Sequence, residues 1–342
     1  MKHLRISSIP IRTLLATLCL LLLFGSSVAV SAQETDDVVT IDTSLVQLNV
    51  GVVDSRGRAV TSLSRNDFSI YEDGVKQSIL QFEPTNAPFS LVLLLDMSGS
   101  TLGFRQQLKL ASTRFLDALA PQDRVAVVQF NAKVKRLSGF GETRKDTAYA
   151  IDIADGAGET YLYEALKFAL KELEQEHKRR KAIVVLTDGL DTQMRNVDRK
   201  AVAKAQTDEE ALKAVKPEAS PSLNAVLNAA DRLGVTIFPL ALPSGDPKRL
   251  PIPGPDITGI YSAARTRLQS VANRTGGRLT EINRLDQMAR LYAEVAADLR
   301  TLYTVAYQAR GDRQRDGKWH EIKVEVLNPE LIARTRPGYY AR

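Results

Sequence analysis

LVLLLDMSGST, residues 91–101, is a continuous apolar run that ends abruptly in Asp96, Ser98 and Ser100. An apolar run without alternation reads as a buried strand of a parallel sheet, because helices must cover both of its faces. The polar residues then fall at the C-terminal end of that strand. In open α/β sheets this is where ligands bind, in the crevice outside the strand carboxyl termini. Three small oxygen-bearing side chains therefore stand where a ligand is expected.

Outward from this strand, strand and helix patterns alternate from Ser90 to about Arg300. That alternation predicts an α/β fold, a doubly wound, mostly parallel sheet with helices on both faces. Phe104, Leu108, Ala111, Phe115 and Leu119 share one helical face, and the strand Val125 to Phe130 follows. Residues 133–140 suit a short edge strand. Leu162, Leu166, Ala169 and Leu173 mark another helix before the strand Ala182 to Thr187. Val235 to Leu242 and Arg278 to Ile282 are later strands, and Leu285, Met288, Tyr292, Val295 and Leu299 lie on a final helix. Two segments look inserted near the ligand-binding end. Asn196 to Val215 is charged and alanine-rich and reads as an exposed helix, whereas Pro243 to Ile260 carries five prolines and reads as an extended loop.

The flanks have a different period. Val38 to Phe82 alternates in short apolar pieces broken by Asp54-Ser55-Arg56-Gly57 and Glu72-Asp73-Gly74, which is hairpin-turn chemistry. Leu302 to Ala309 and Glu321 to Leu327 alternate in the same way. Neither flank has enough strands to be stable alone. The expected plan is a leader over 1–32, an N-terminal β segment over 33–87, the α/β domain over 88–300, and a C-terminal β segment over 301–342 that pairs with the N-terminal one into a small β unit.

The leader reads as a signal peptide. Lys2, Arg5 and Arg12 precede the apolar stretch Leu14 to Phe24, and Val30-Ser31-Ala32 fits the small-residue cleavage pattern. The apolar stretch is short of the roughly 20 residues of a spanning helix. Export to the periplasm or the exterior is expected, with no stable membrane anchor after cleavage. Cleavage removes the single Cys, and with it disulfide and thiolate chemistry. It also removes three of the 46 Lys and Arg and none of the 40 Asp and Glu, taking the formal charge from +6 to +3. Nothing in that balance calls for nucleic acid. The basic run Lys178-Arg179-Arg180-Lys181 stands alone between a helix and a strand and reads as a solvated connection.

Hard cations such as Mg²⁺ take oxygen ligands and keep several waters, so a protein supplies only a few hydroxyls and carboxylates. This chain offers such a set in order. Asp96, Ser98 and Ser100 follow the first strand at alternate positions, Thr160 sits in Gly158-Glu159-Thr160-Tyr161 before a helix, and Asp188 ends VVLTD ahead of Gly189. Here the sequence resembles the von Willebrand factor A family, whose metal-ion-dependent adhesion site has the pattern DxSxS, a loop threonine, and an aspartate in a hydrophobic TDG segment. The resemblance covers roughly residues 88–300. It implies that Ser98 and Ser100 bind the metal by their hydroxyls, Thr160 directly or through water, and that Asp96 and Asp188 mostly act through waters or hold the hydroxyls in place. It also implies one coordination position left for a carboxylate of a ligand. The flanks, with TSLVQLNVGVVDSRGRAVTSLSRNDFSIYEDG, TLYTVAYQAR and IARTRPGYY, look like the exported bacterial proteins of that family. Asp191 and Glu159 add carboxylates nearby and read as surface loop charges.

Enzymatic readings fail on inventory. LVLLLDMSGST approaches the DxDxT of haloacid-dehalogenase-like phosphotransferases, but position 98 is Ser, and a hydroxyl cannot do the proton transfer of the second Asp near neutral pH. No GxSxG elbow is present, and the three histidines His3, His177 and His320 are scattered, which argues against a serine hydrolase and against a zinc site. Gly156-Ala157-Gly158 lacks the third glycine of a dinucleotide fingerprint. Arg310-Gly311-Asp312 reads as turn chemistry between two strands. The sequence thus predicts a non-enzymatic, exported module that uses Mg²⁺ or Mn²⁺ to capture a protein ligand presenting Asp or Glu. The alternative is an assembly subunit of an envelope complex with a vestigial metal site. The oligomeric state is not legible.

Overall fold

The structure, a computed structural model, describes residues 45–176, 179–244, 246–309 and 316–341. The leader with its cleavage point, His177, Lys178 and Arg310-Gly311-Asp312 lie outside the described residues. Four strands come first: β1 (Leu45–Val53), β2 (Phe68–Glu72), β3 (Val75–Gln77) and β4 (Ile79–Glu83). A central sheet follows, of β5 (Phe89–Asp96), β6 (Arg124–Phe130), β7 (Val134–Ser138), β8 (Arg180–Thr187), β9 (Val235–Ala241) and β10 (Thr280–Glu281). Its order is β10-β9-β8-β5-β6-β7, with every pairing parallel except β6 with β7.

Alternation along β5 explains why the fold is doubly wound. Successive side chains of a strand point to opposite faces. Leu91, Leu93 and Leu95 pack against α1 (Arg105–Ala118), α2 (Arg144–Asp152) and α8 (Met288–Leu299), through Leu108, Phe115, Ile151, Tyr292 and Val295. Val92 and Leu94 pack against α3 (Leu162–Glu174), α6 (Pro221–Leu233) and α7 (Pro255–Thr275), through Leu166, Val226 and Leu268. No residue from Leu91 to Leu95 is solvent-accessible, so each contributes about 1.5–3 kcal/mol by burial.

From β5 the chain steps outward to β6 and β7, then returns to β8 on the other side of β5. The connections leave β5 and β8 in opposite directions, which opens a crevice beyond their carboxyl ends. Asp96 and Asp188 lie at its base.

Three expectations need correction. Asn196 to Val215 is not one exposed helix but parts of α4 (Thr192–Val202) and α5 (Asp208–Ala214), with Val202, Ala211 and Val215 buried against Ile260 and Ala263 of α7. The extended loop from Pro243 stops at Gly254, because Pro255 occupies the first turn of α7, where its missing N–H costs nothing. The second half of the basic run is not a solvated connection: Arg180 and Lys181 open β8 and are buried. The Arg180 guanidinium donates to the carbonyls of Thr85, Ala87 and Leu302 and lies 3.9 Å over the Phe89 ring. Burial pushes its pKa down to about 10.

The flanks form two four-stranded sheets with one shared core. After β11 (Leu302–Gln308) come β12 (Trp319–Val326), β13 (Ile332–Arg334) and β14 (Gly338–Tyr340). The orders are β13-β1-β11-β4 and β14-β12-β2-β3. β1 pairs with β11 from Leu45↔Gln308 to Gly51↔Leu302, and β2 with β12 from Glu72↔Ile322 to Phe68↔Val326, all antiparallel. Leu48, Val50, Ile70, Tyr303, Val305, Tyr307 and Ile322 fill the space between.

Candidate metal centre

The turn after β5 is built from short polar side chains that bond their own backbone. Ser98 N–H donates to Asp96 Oδ1 at 3.0 Å, and the Thr101 hydroxyl donates to the carbonyls of Asp96 and Ser98 at 2.8 and 3.0 Å. The Ser98 and Ser100 hydroxyl oxygens are 3.2 Å apart. Asp96 and Ser98 are buried, whereas Ser100 faces solvent.

The loop carrying Thr160 is drawn against this turn. Gly99 N–H donates to Gly158 O at 2.9 Å, and a Cβ on Gly156 would meet Asn131 Nδ2 at 2.6 Å and Met97 O at 2.8 Å, so only glycine permits that approach. Thr160 is itself clamped to the start of α4. Its N–H donates to Thr192 Oγ1 at 3.0 Å and its carbonyl accepts from Thr192 N–H at 2.9 Å. Ser100, Glu159, Thr160, Leu190, Thr192 and the exposed Arg195 line a depression of about 190 Å³. A depression of about 520 Å³ between α1 and α2 is larger, but its only ionisable lining residues are Lys109 and Asp152. Donor chemistry, rather than size, selects the site.

After β8 the chain turns at Gly189 with φ 79°, where a Cβ would also strike Leu268 Cδ1 at 2.7 Å. Asp188 is buried. Its Oδ1 accepts from Leu190 N–H at 3.0 Å, and Arg265 of α7 braces its carbonyl at 2.6 Å. The Ser100 hydroxyl favours the charged form of Asp188, yet Oδ2 is buried without a partner at hydrogen-bond geometry. Burial, and next the charge of Asp188, push the Asp96 pKa up to about 7. Burial raises that of Asp188 as well.

Two buried carboxylates repelling one another, one with an orphaned oxygen, are the donor set that a dication relieves. Asp96, Ser98, Ser100 and Asp188 lie within reach of one another, and Thr160 shares a depression with Ser100. All five offer oxygen, so the residues present fit a hard ion. Asp191 is not the surface charge its loop position suggests. It is buried and caps α4, with Oδ1 accepting from Gln193 N–H and Met194 N–H at 3.0 and 3.1 Å. Glu159 is exposed and accepts from the Tyr161 hydroxyl at 2.7 Å. Arg265 escaped sequence reasoning because no local pattern marks a helix residue that reaches a neighbouring strand end.

Residues 91–190 match the family model of the von Willebrand factor type A domain. That segment runs from β5 to the turn after β8 and contains all five candidate donors. No curated protein matches the sequence. Among solved structures, the chain is similar to the vWF domain of the type V pili tip protein Mfa5 from Porphyromonas gingivalis. Identity is 14%, over 62% of this chain and 94% of that one, with a TM-score of 0.46. A von Willebrand factor type A protein from Catenulispora acidiphila is 13% identical over 88% of this chain and 64% of its own, with a TM-score of 0.46. Proximal thread matrix protein 1 from the mussel byssus, solved with a zinc-occupied MIDAS motif, is 15% identical over 66% of this chain and 49% of its own, with a TM-score of 0.43.

Proposed function

We propose that this protein is an exported, non-enzymatic module that binds a protein partner through a divalent cation, Mg²⁺ or Mn²⁺. Ser98, Ser100 and Thr160 would hold the ion, with Asp96 and Asp188 supplying charge beneath it. The observation that carries the reading is the buried, unpartnered Oδ2 of Asp188, close to the like-charged Asp96 and to the exposed Ser100 hydroxyl. A bound dication supplies residual positive charge, which favours a Glu or Asp side chain of the partner. The chain's own residues then shape the contact. Arg195 and Glu159 place opposite charges on the rim, so the cation itself would supply the attraction for an acidic side chain, and α4, held through its Asp191 cap, walls one side. Among the described residues no helix is long and apolar enough to cross a membrane.

Calorimetry with Mg²⁺ and Mn²⁺ tests the ion: wild type binds, and Ser98→Ala and Asp188→Ala do not. Capture from an envelope extract then tests the partner, which should need divalent metal and Ser98. Capture that survives EDTA and Ser98→Ala alike would place binding on another surface and favour an assembly subunit.

A further inference from the structure

The β sandwich holds a second group of donors, Glu72, Asp73 and His320, outside the type A segment and built by pairing of the two flanks. One ligand atom from each lies within 4.8 Å of the other two. Strand register brings them together: β2 and β12 pair so that Glu72 stands opposite Ile322, and the Asp73-Gly74 turn closes β2 onto β3. Asp73 has φ 49°, the only positive φ of a non-glycine among the described residues, a conformation that Asp tolerates better than most. The turn is fixed to β12 by two bonds of 2.9 Å, Asp73 N–H to Glu321 O and Glu321 N–H to Asp73 Oδ1. That leaves Asp73 Oδ2 2.8 Å from His320 Nδ1.

The other side of the ring carries the second observation. His320 Nε2 is 3.1 Å from Asp316 Oδ1. If Nε2–H donates to Asp316, the lone pair of Nδ1 faces carboxylate oxygens of Asp73 and Glu72, the latter at 3.7 Å. His320 and Glu72 are only 4% and 1% exposed, so the space between them is withheld from water. Glu72 Oε1 is the oxygen that faces His320 and lies 3.5 Å from the Tyr339 hydroxyl, while Oε2 is buried beside the Tyr307 hydroxyl without a bond of good geometry. A lone pair facing two acceptors requires a cation. A proton on Nδ1 bonds Asp73 at 2.8 Å and leaves Glu72 Oε1, at 3.7 Å, without a bond to the ring, whereas a metal ion engages all three side chains.

We propose that Glu72, Asp73 and His320 form a site for a first-row transition dication of the Zn²⁺ class, with Asp316 as the outer carboxylate that sets the imidazole tautomer. One imidazole and two carboxylates suit Zn²⁺ better than Mg²⁺ or Ca²⁺, which prefer oxygen throughout. Metal-binding histidines donate their second ring N–H to a carboxylate or carbonyl, and Asp316 stands in that position. Donor spacings of 2.8 and 3.7 Å bracket the roughly 2.9–3.3 Å expected for bonds of about 2.0–2.1 Å. The Asp73 side chain is 33% exposed and gives a path for the ion and room for water. Because Glu72 and Asp73 come from one flank and His320 from the other, the ion would cross-link them. The proposal does not rest on the oxygen site of the α/β domain.

The test uses the full chain with ¹⁵N-labelled histidine, in excess Mg²⁺ so that the oxygen site is filled, titrated with Zn²⁺. His320→Gln assigns the His320 signals among the three histidines. The expected result is a stoichiometric shift of the His320 ring nitrogens to a metal-bound Nδ1 and a protonated Nε2. Equilibrium dialysis should show that Zn²⁺ lost on Glu72→Gln, and weakened about 10- to 100-fold on Asp316→Asn. Wild-type spectra need no variant to fold. If His320 keeps an imidazolium signature in excess Zn²⁺, a proton holds the cluster and the proposal is overturned. Stoichiometric Zn²⁺ that leaves the His320 signals unmoved overturns it equally.

Discussion

The Thr187 hydroxyl donates to Asp96 Oδ2 at 2.7 Å and accepts from Gly189 N–H at 3.0 Å. One side chain at the end of β8 thus orients the carboxylate at the end of β5 and fixes the turn that carries Asp188. The threonine of the TDG segment is a positioning residue for both buried acids, although it offers no ligand itself.

Thr187→Val keeps the shape and removes both bonds. Asp96 Oδ2 is then left unsatisfied in a buried site, at a cost of about 1–3 kcal/mol. Misorientation of the carboxylates should weaken Mg²⁺ or Mn²⁺ binding about 10- to 100-fold, read by calorimetry. Wild-type affinity in this variant would show that Thr187 does not position the site.

A pH dependence follows for the metal-free protein. With its pKa raised to about 7, Asp96 keeps a proton in the folded state that the unfolded chain releases at about pH 4. Across that window the folded state binds more protons, so stability in EDTA falls as pH rises from about 4 to about 7. Urea midpoints should therefore be lower at about pH 8 than at about pH 5, and Asp96→Asn should flatten the slope. Mg²⁺ should restore stability at the higher pH. An Asp96→Asn slope equal to wild type would contradict the argument.

The sheet and the Asp96, Ser98, Ser100 turn are legible because their signals are local, whereas Thr160 and Asp188 join that turn only through the family pattern. Leu91 to Leu95 have no polar alternation, and all are buried, since helices cover both faces of β5. Asp96, Ser98 and Ser100 declare themselves by following that strand. The rest depended on contacts between distant residues. Glu72 and His320 are about 250 residues apart, and only the β2–β12 register joins them. The two short strands β13 and β14, of three residues each, carry too little alternation to be read. Asn196 to Val215 reads as exposed because sequence alone does not show which charges are paired across the fold, whereas Asp198 is buried and paired with Arg267.

That pair gives a stability prediction. Arg267 Nη1 and Nη2 donate to the two oxygens of Asp198 at 2.6 and 2.7 Å, and both side chains are 5% exposed or less. Removing one partner strands a buried charge, so Asp198→Ala should cost about 3–5 kcal/mol in urea unfolding. The double variant Asp198→Leu, Arg267→Met should recover most of that loss. Equal instability in both would mean that α4 and α7 are held by something other than the ion pair.

Asn49 supports the last prediction, which concerns how the flanks depend on one another. On β1 its Nδ2 donates to Thr236 Oγ1 at 2.8 Å and to Gly234 O at 3.3 Å, which reaches the central sheet. Its Oδ1 accepts from Thr304 Oγ1 of β11 at 2.7 Å, and its carbonyl from Thr335 Oγ1 at 2.9 Å. β1 lies between β11 and β13 in its sheet, so both of its hydrogen-bonding edges are supplied by the C-terminal flank. Deleting residues 301–342 should therefore open β1, seen as faster amide exchange from Leu48 to Val53, while exchange in β5 changes less. Asn49→Ala separates the side-chain network from the ladder. It leaves the pairing of β1 with β11 in place but strands two buried hydroxyls, and should cost about 1–3 kcal/mol. Exchange around Leu48 to Val53 that is unaltered by the deletion would mean that β1 holds to the α/β sheet through Asn49 alone, with no need of the strands beside it.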